Sequence, residues 1–200
     1  MRGHVDGLWT IVLAAGGSSR LGRPKQFVRV RGRALLARTL ATAQQLTPRR
    51  VIVVLGASRA RARAVVRRNS PHTIVVANAR WRDGMSGSLA RGIAALPRRA
   101  RAALLLTVDQ PDVGARALRR LVARWALRPA RPAAASYAGR LGVPAILTRR
   151  VWRDARRASG DVGAREVLRG NAGRVTHVAL PEAAIDIDTQ ADLDAFTAGT

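Results

Sequence analysis

The stretch Leu13-Ala14-Ala15-Gly16-Gly17-Ser18-Ser19-Arg20-Leu21-Gly22-Arg23-Pro24-Lys25 decides how this chain is read. It begins as the tail of an apolar run, Trp9-Thr10-Ile11-Val12-Leu13-Ala14, of the length and composition of a buried strand. It then passes into small residues and carries the cations Arg20 and Lys25. Small residues let successive backbone N–H groups approach a phosphate chain closely and form an anion nest. Arg20 and Lys25 would neutralise a triphosphate and the charge gained in a transition state. The stretch lacks the Gly-Lys-Ser/Thr ending of a P-loop, and no GxGxxG follows the strand, so neither of those phosphate fingerprints applies. The bland alternative is a solvated Gly/Ser turn with two surface cations. Its position directly after a buried-type strand favours the phosphate cradle.

Composition sharpens the picture. The chain has 200 residues, 48% of them hydrophobic, enough for one domain with a real core and too apolar for a disordered segment. There is no cysteine, which excludes disulfides and thiolate metal sites, and His4, His72 and His177 show no ligand spacing. No run of about 18 apolar residues and no apolar stretch of signal-peptide length at the start is present, so a cytoplasmic protein without a membrane span is expected. The formal net charge is +24, with 36 Lys+Arg against 12 Asp+Glu. The arginines are spread along the chain, and one Tyr and two Phe offer no aromatic platform for single strands. A specific nucleic-acid partner is therefore not expected, although polyanions should be attracted non-specifically. Lys25 is the only lysine among the 36 Lys+Arg. A compact point charge on a flexible stem differs from the planar fork of arginine at a phosphate.

Outward from the cradle, strand-like runs alternate with helical patterns. Strands are predicted at Val51–Leu55, Thr73–Ala77, Ala102–Val108, Ala133–Tyr137, Val143–Leu147, Val175–Leu180 and Ile185–Ile187. Helices are predicted near 35–45, 58–68, 86–96, 115–127, 149–157 and 164–169, and a last one is capped by Thr189 with Asp192 three residues on. This alternation predicts a three-layer α/β/α domain with a mostly parallel, Rossmann-like central sheet over 9–198, preceded by a short extension, 1–8. Trp81, Trp125 and Trp152 read as packing or half-buried surface residues, and Asp112 as a helix cap.

Two acidic stretches complete the constellation. Asp109-Gln110-Pro111 follows the third strong strand, where parallel sheets bind ligands, and a carboxylate there suits Mg²⁺ shared with substrate phosphates. In Asp186-Ile187-Asp188-Thr189, two carboxylates two residues apart point to one side of an extended segment. One or both would complete a magnesium site with Asp109, and spacing does not choose between Asp186 and Asp188.

The string from Leu13 to Lys25 resembles the LAAGxSxRxGxxK signature of nucleotidyltransferases that activate cofactor and sugar precursors, most of all the MobA-like family in its molybdenum cofactor cytidylyltransferase (MocA-like) branch. The resemblance runs from about Thr10 to Phe196 and implies the GT-A-like nucleotidyltransferase fold. It assigns Leu13, Ala14, Ala15, Gly16, Gly17, Ser18, Arg20 and Lys25 to the nucleotide, with Arg20, Lys25 and Asp109 in catalytic roles. Metal binding would fall to Asp109, Asp186 and Asp188. Gly84-Met85-Ser86-Gly87-Ser88-Leu89 is similar to a family loop in which Ser86 and Ser88 would contact the nucleotide or cap the next helix. Gly142-Val143-Pro144 and Gly160-Asp161-Val162-Gly163-Ala164-Arg165 are similar to family elements on the acceptor side, naming Gly142, Pro144, Asp161, Gly163 and Arg165. The family commonly has His where this chain has Val143. The implied reaction moves CMP from CTP to the phosphate of molybdopterin and releases pyrophosphate, with a molybdoenzyme or maturation factor as a possible protein partner. Guanylyl transfer to molybdopterin, cytidylyl transfer to a sugar or polyol phosphate, and a non-catalytic nucleotide- or nucleic-acid-binding role remain as alternatives.

Overall fold

The computed structural model describes residues 6–157, 160 and 163–199. Strand β1 (Leu8–Ala14) is buried along its whole length, as its unbroken apolar run requires. A short hairpin, β2 (Arg29–Val30) and β3 (Arg33–Ala34), follows the glycine loop. The chain continues through α1 (Leu35–Leu46), β4 (Val51–Leu55), α2 (Arg59–Asn69), β5 (Ile74–Ala77), α3 (Met85–Ala94), β6 (Ala102–Thr107) and α4 (Ala115–Ala126). It ends with β7 (Ala133–Tyr137), β8 (Arg140–Thr148), α5 (Arg149–Arg157), α6 (Ala164–Arg169), β9 (Thr176–Ala179) and α7 (Gln190–Ala198).

The seven-stranded sheet has the order β5-β4-β1-β6-β8-β7-β9. Its first four strands run parallel, β8 runs against both its neighbours, and β9 pairs parallel with β7. The chain steps from β1 through β4 to β5, then returns to β6 on the other side of β1. Strand order therefore reverses at β1 and β6, which opens a crevice outside their carboxyl ends. The alternating faces of the strands feed two cores. Val12, Val53 and Leu104 pack with residues of α1, α2 and α4, among them Leu40, Val66 and Leu121. Ile11, Ile52 and Leu105 pack with residues of α3, α5 and α6, among them Leu89, Val151 and Leu168. A third, small core joins Leu21, Val28, Val30 and Leu35 to Ile187, Leu193 and Phe196.

Several expectations need correction. The first strand begins at Leu8, paired with Ala102, one residue before the expected Trp9. Ile185–Ile187 is not a strand: Ile187 N donates to the Asp109 carbonyl, a single anchor with no ladder beside it. The β2–β3 hairpin has no counterpart among the expected elements, because its strands are only two residues each and lie among arginines. Asp112 does not cap α4, whose N-cap is Gly114 without a side-chain bond; it faces Arg31 Nη2 at 3.6 Å instead. The predicted Thr189 capping box is present, with Asp192 accepting from the Thr189 backbone at 2.7 Å. No helix among the described residues is long and apolar enough to cross a membrane.

Gly92 lets α3 lie close on the sheet: a Cβ there would stand 2.7 Å from Ile11 Cγ2 and 3.2 Å from Val54 Cγ2. Both methyls belong to β-branched, fully buried side chains that cannot swing away. Gly92→Val is expected to lower unfolding free energy by about 1–3 kcal/mol, the scale of overpacking. Urea denaturation of the two proteins measures it, and equal midpoints would contradict the close approach.

Candidate active site

The cleft at the carboxyl ends of β1 and β6 has a volume of about 720 Å³. One wall is the loop from Leu13 to Arg20. Buried Gln26 braces this loop, its Nε2 donating to the carbonyls of Ala14 at 3.0 Å and Gly16 at 2.8 Å. The Lys25 amide donates to Ser18 Oγ at 3.0 Å, and Ser18 itself has a left-handed backbone (φ 57°). Behind the loop, Gly56 is compelled: a Cβ would stand 2.5 Å from the Ala15 carbonyl oxygen. The loop is thus shaped by side chains and close backbone contacts.

Lys25 Nζ lies 2.6 Å from Asp188 Oδ1 and 3.2 Å from Asp109 Oδ2, at the centre of the cleft. Arg20 Nη2 reaches the other Asp188 oxygen, Oδ2, at 2.7 Å. Burial works against the Lys25 charge, but Asp109 and Asp188 outweigh it and hold its pKa above the ordinary lysine value. Burial likewise opposes ionisation of Asp188, yet bonds from Lys25 and the charge of Arg20 pull its pKa below the carboxylate norm. Asp186 lacks such a cation. Burial first, then the charges of Asp109 and Asp188, push its pKa from 3.8 to about 6.

Tyr137, Val143 and Arg165 line another part of the cleft. Burial and the charge of Asp186 raise the Tyr137 phenol. Gln110, buried beside Asp109, donates from Nε2 to the carbonyls of Val143 and Ala183, tying β8 and the C-terminal segment to the end of β6. Trp81, Arg82, Met85 and Ser88 also line the cleft.

The structure brings most of the expected residues together. Leu13, Ala14, Ala15, Gly16, Gly17, Ser18, Arg20, Lys25, Ser88, Asp109, Arg165, Asp186 and Asp188 all line the cleft. Ser86 does not; it is buried, and its hydroxyl donates to the Gly160 carbonyl at 2.7 Å. Neither Ser86 nor Ser88 caps α3, whose N-cap is Gly84. Gly142 and Pro144 are buried behind the cleft wall, where a Cβ on Gly142 would run into the Tyr137 hydroxyl. Gly163 does not line the cleft but abuts Met85, which does. Asp161 lies outside the described residues. Trp81 is more than packing: it lines the cleft and leaves no room for a Cβ on Gly17, at 2.7 Å. Sequence reading missed Gln26, Gln110 and Tyr137. The two glutamines flank motif residues, and that adjacency was the available signal.

The glycine loop thus faces Asp109 across one lysine. Residues 10–178 match the family model of the MobA-like NTP transferase domain. The chain belongs to that family. Among solved structures it is similar to Rv0371c from Mycobacterium tuberculosis H37Rv, with 30% identity, TM-score 0.80, and coverage of 98% of this chain and 100% of that one. A homolog of Rv0371c from Mycobacterium sp. strain JC1 is 28% identical, with TM-score 0.77 and 96% of each chain covered. The manganese complex of the M. tuberculosis protein superposes with TM-score 0.77 at 27% identity, covering 96% of this chain and 99% of that one. No curated protein matches the sequence.

The raised Asp186 carboxyl has a measurable signature. Its folded pKa of about 6 exceeds the unfolded value of 3.8, so the native state holds the proton more tightly and loses stability as pH rises between the two. Asp186→Asn removes that loss. The variant is expected to match the parent as pH approaches about 4 and to exceed it in unfolding free energy above about pH 6.5. Denaturation at a series of pH values tests this; a difference that does not change with pH would refute the assignment.

Proposed function

We propose that this MobA-like chain transfers a nucleoside monophosphate, CMP from CTP, to the phosphate of molybdopterin with release of pyrophosphate. The observation that carries the nucleotidyl-transfer reading is the Lys25 ammonium held between Asp109 and Asp188 at the mouth of the glycine loop. The cytidine and the molybdopterin rest on the sequence resemblance to the MocA-like branch.

The loop N–H groups receive the triphosphate, because a run of small residues exposes them without side-chain obstruction. Lys25 and Arg20, which spend their charge on Asp188 in this structure, turn to the phosphate oxygens when the substrate enters. There they stabilise the charge that builds on the α-phosphate as the acceptor oxygen attacks. An acceptor phosphate is already anionic, so positioning suffices and no strong general base is required. Arg165, which also lines the cleft, would bind that phosphate.

The carboxylates fit a divalent ion. Among the described residues no three His, Cys, Asp or Glu side chains are grouped closely enough to hold a metal alone. Asp109, with Asp186 or Asp188, offers the one or two hard oxygen ligands that Mg²⁺ needs when substrate phosphates supply the rest. The Asp186 pKa is raised first by burial and then by the charges of Asp109 and Asp188, and a bound cation would offset both. When bound, such an ion would neutralise the leaving pyrophosphate. The manganese complex of the mycobacterial relative supports divalent-ion use in the family.

Lys25→Ala and Asp109→Ala are each expected to lower turnover about 10²-fold or more, the scale for one preorganised charge contact. Pyrophosphate release, screened with four triphosphates against molybdopterin and common phosphorylated acceptors, is the assay. CTP with molybdopterin is expected to be the best pair. Near-parent turnover by either variant, or no pyrophosphate with any pair, would overturn the proposal.

A further inference from the structure

Asn78 stands just past β5, and its side chain is 1% exposed. Its Oδ1 accepts from the Arg80 backbone N–H at 3.1 Å and from Arg91 Nε at 3.0 Å. Both partners are pure donors, so the carboxamide oxygen must face them and the amide cannot be turned around. Its Nδ2 therefore points the other way, toward Ser88 Oγ at 2.9 Å. An amide nitrogen only donates, which leaves the Ser88 oxygen as the acceptor of that bond. The Ser88 proton must then point elsewhere. Among the described residues no hydrogen bond takes it up, and Ser88 lines the cleft.

We infer that Asn78 is a positioning residue that locks the Ser88 hydroxyl as a hydrogen-bond donor into the cleft, so that Ser88 recognises an acceptor atom of the nucleotide rather than one of its N–H groups. The inference rests on the nucleotide reading of the cleft and adds to it the polarity of one contact and the residue that sets it. A serine hydroxyl free to rotate would donate or accept according to the ligand. Here the choice has been made by two donors on Asn78, one from the backbone of the Trp81 segment and one from a side chain of α3. The alternative fate for a serine proton in a helix is a bond back to the preceding turn. The bond from Asn78 fills one Ser88 lone pair and helps hold the hydroxyl in its cleft-facing position.

Asn78→Asp is the discriminating variant. The carboxylate keeps the shape and the bonds to Arg80 N and Arg91, but its second oxygen is an acceptor. Ser88 must then give its proton to that introduced oxygen, and the cleft loses its donor. Titration calorimetry with CTP and magnesium reads the dissociation constant for the parent, Asn78→Asp, Ser88→Ala and the double variant. Asn78→Asp is expected to weaken CTP binding about tenfold, the scale of one lost hydrogen bond to a charged or strongly polar acceptor. In the Ser88→Ala background the same change is expected to matter by less than about threefold, because there is no hydroxyl left to turn. Arg91→Met, at an exposed position, removes one of the two donors that orient the amide and is expected to weaken binding by an intermediate factor. It keeps the test valid if Asn78→Asp folds poorly, which thermal denaturation would reveal. Parent-like binding by Asn78→Asp and Arg91→Met, or an equal loss from Asn78→Asp with and without the Ser88 hydroxyl, overturns the inference and leaves the nucleotide reading standing. Failure of the parent to bind any triphosphate overturns both.

Discussion

One partly buried ammonium group organises this site. Lys25 lies between Asp109 and Asp188, carboxylates 84 and 163 residues further along the chain. Taking a lysine out of water is unfavourable, and the two carboxylates more than compensate, as the raised Lys25 pKa records. A compact ammonium with three rotatable donors can serve two acids from one point, whereas a guanidinium fork is built to grip one. In a chain that otherwise uses arginine throughout, this is a physical reason for a lysine at position 25.

Two packing features make that contact possible. Parallel pairing of β1 with β6, in register from Leu8 and Ala102 to Leu13 and Thr107, puts the glycine loop and Asp109 at the same end of the sheet. The small third core then brings the last segment of the domain to the first loop, with Ile187 fully buried among Leu21, Val28 and Val30. Ile187 sits between Asp186 and Asp188, and its burial turns the flanking carboxylates into the cleft. The bond from Ile187 N to the Asp109 carbonyl ties both acidic stretches together through the backbone.

Much of this was legible in the sequence because it is local. The apolar runs of β1, β4 and β6 and the Thr189 capping box are patterns within a few residues. The glycine loop and Asp109 were legible because small residues and carboxylates after buried strands have few other uses. What escaped depends on distant partners. Gln26 and Gln110 act by bonding carbonyls of other segments, which no spacing encodes. Ile185–Ile187 reads as a strand because two β-branched residues flank a polar one, but only Ile187 is buried, in the small third core and not on the sheet, while Ile185 is exposed. Trp81 reads as packing because tryptophans usually pack; here it packs against glycines of the site itself. Ser86 and Ser88 look alike in the motif, and both are buried, yet one bonds a neighbouring loop while the other accepts from Asn78 and lines the cleft.

The third core also sets the order in which the domain matures. A ribosome delivers the chain from its amino terminus, and the strands of the central sheet up to β9 precede Ile187, Leu193 and Phe196. The sheet and its two main cores can therefore form while Asp186 and Asp188 are still unmade. Until they emerge, Lys25 has half its anionic company and Arg20 has none of its own. The acidic half of the cleft is thus completed after the sheet, sealed by a patch of seven apolar side chains.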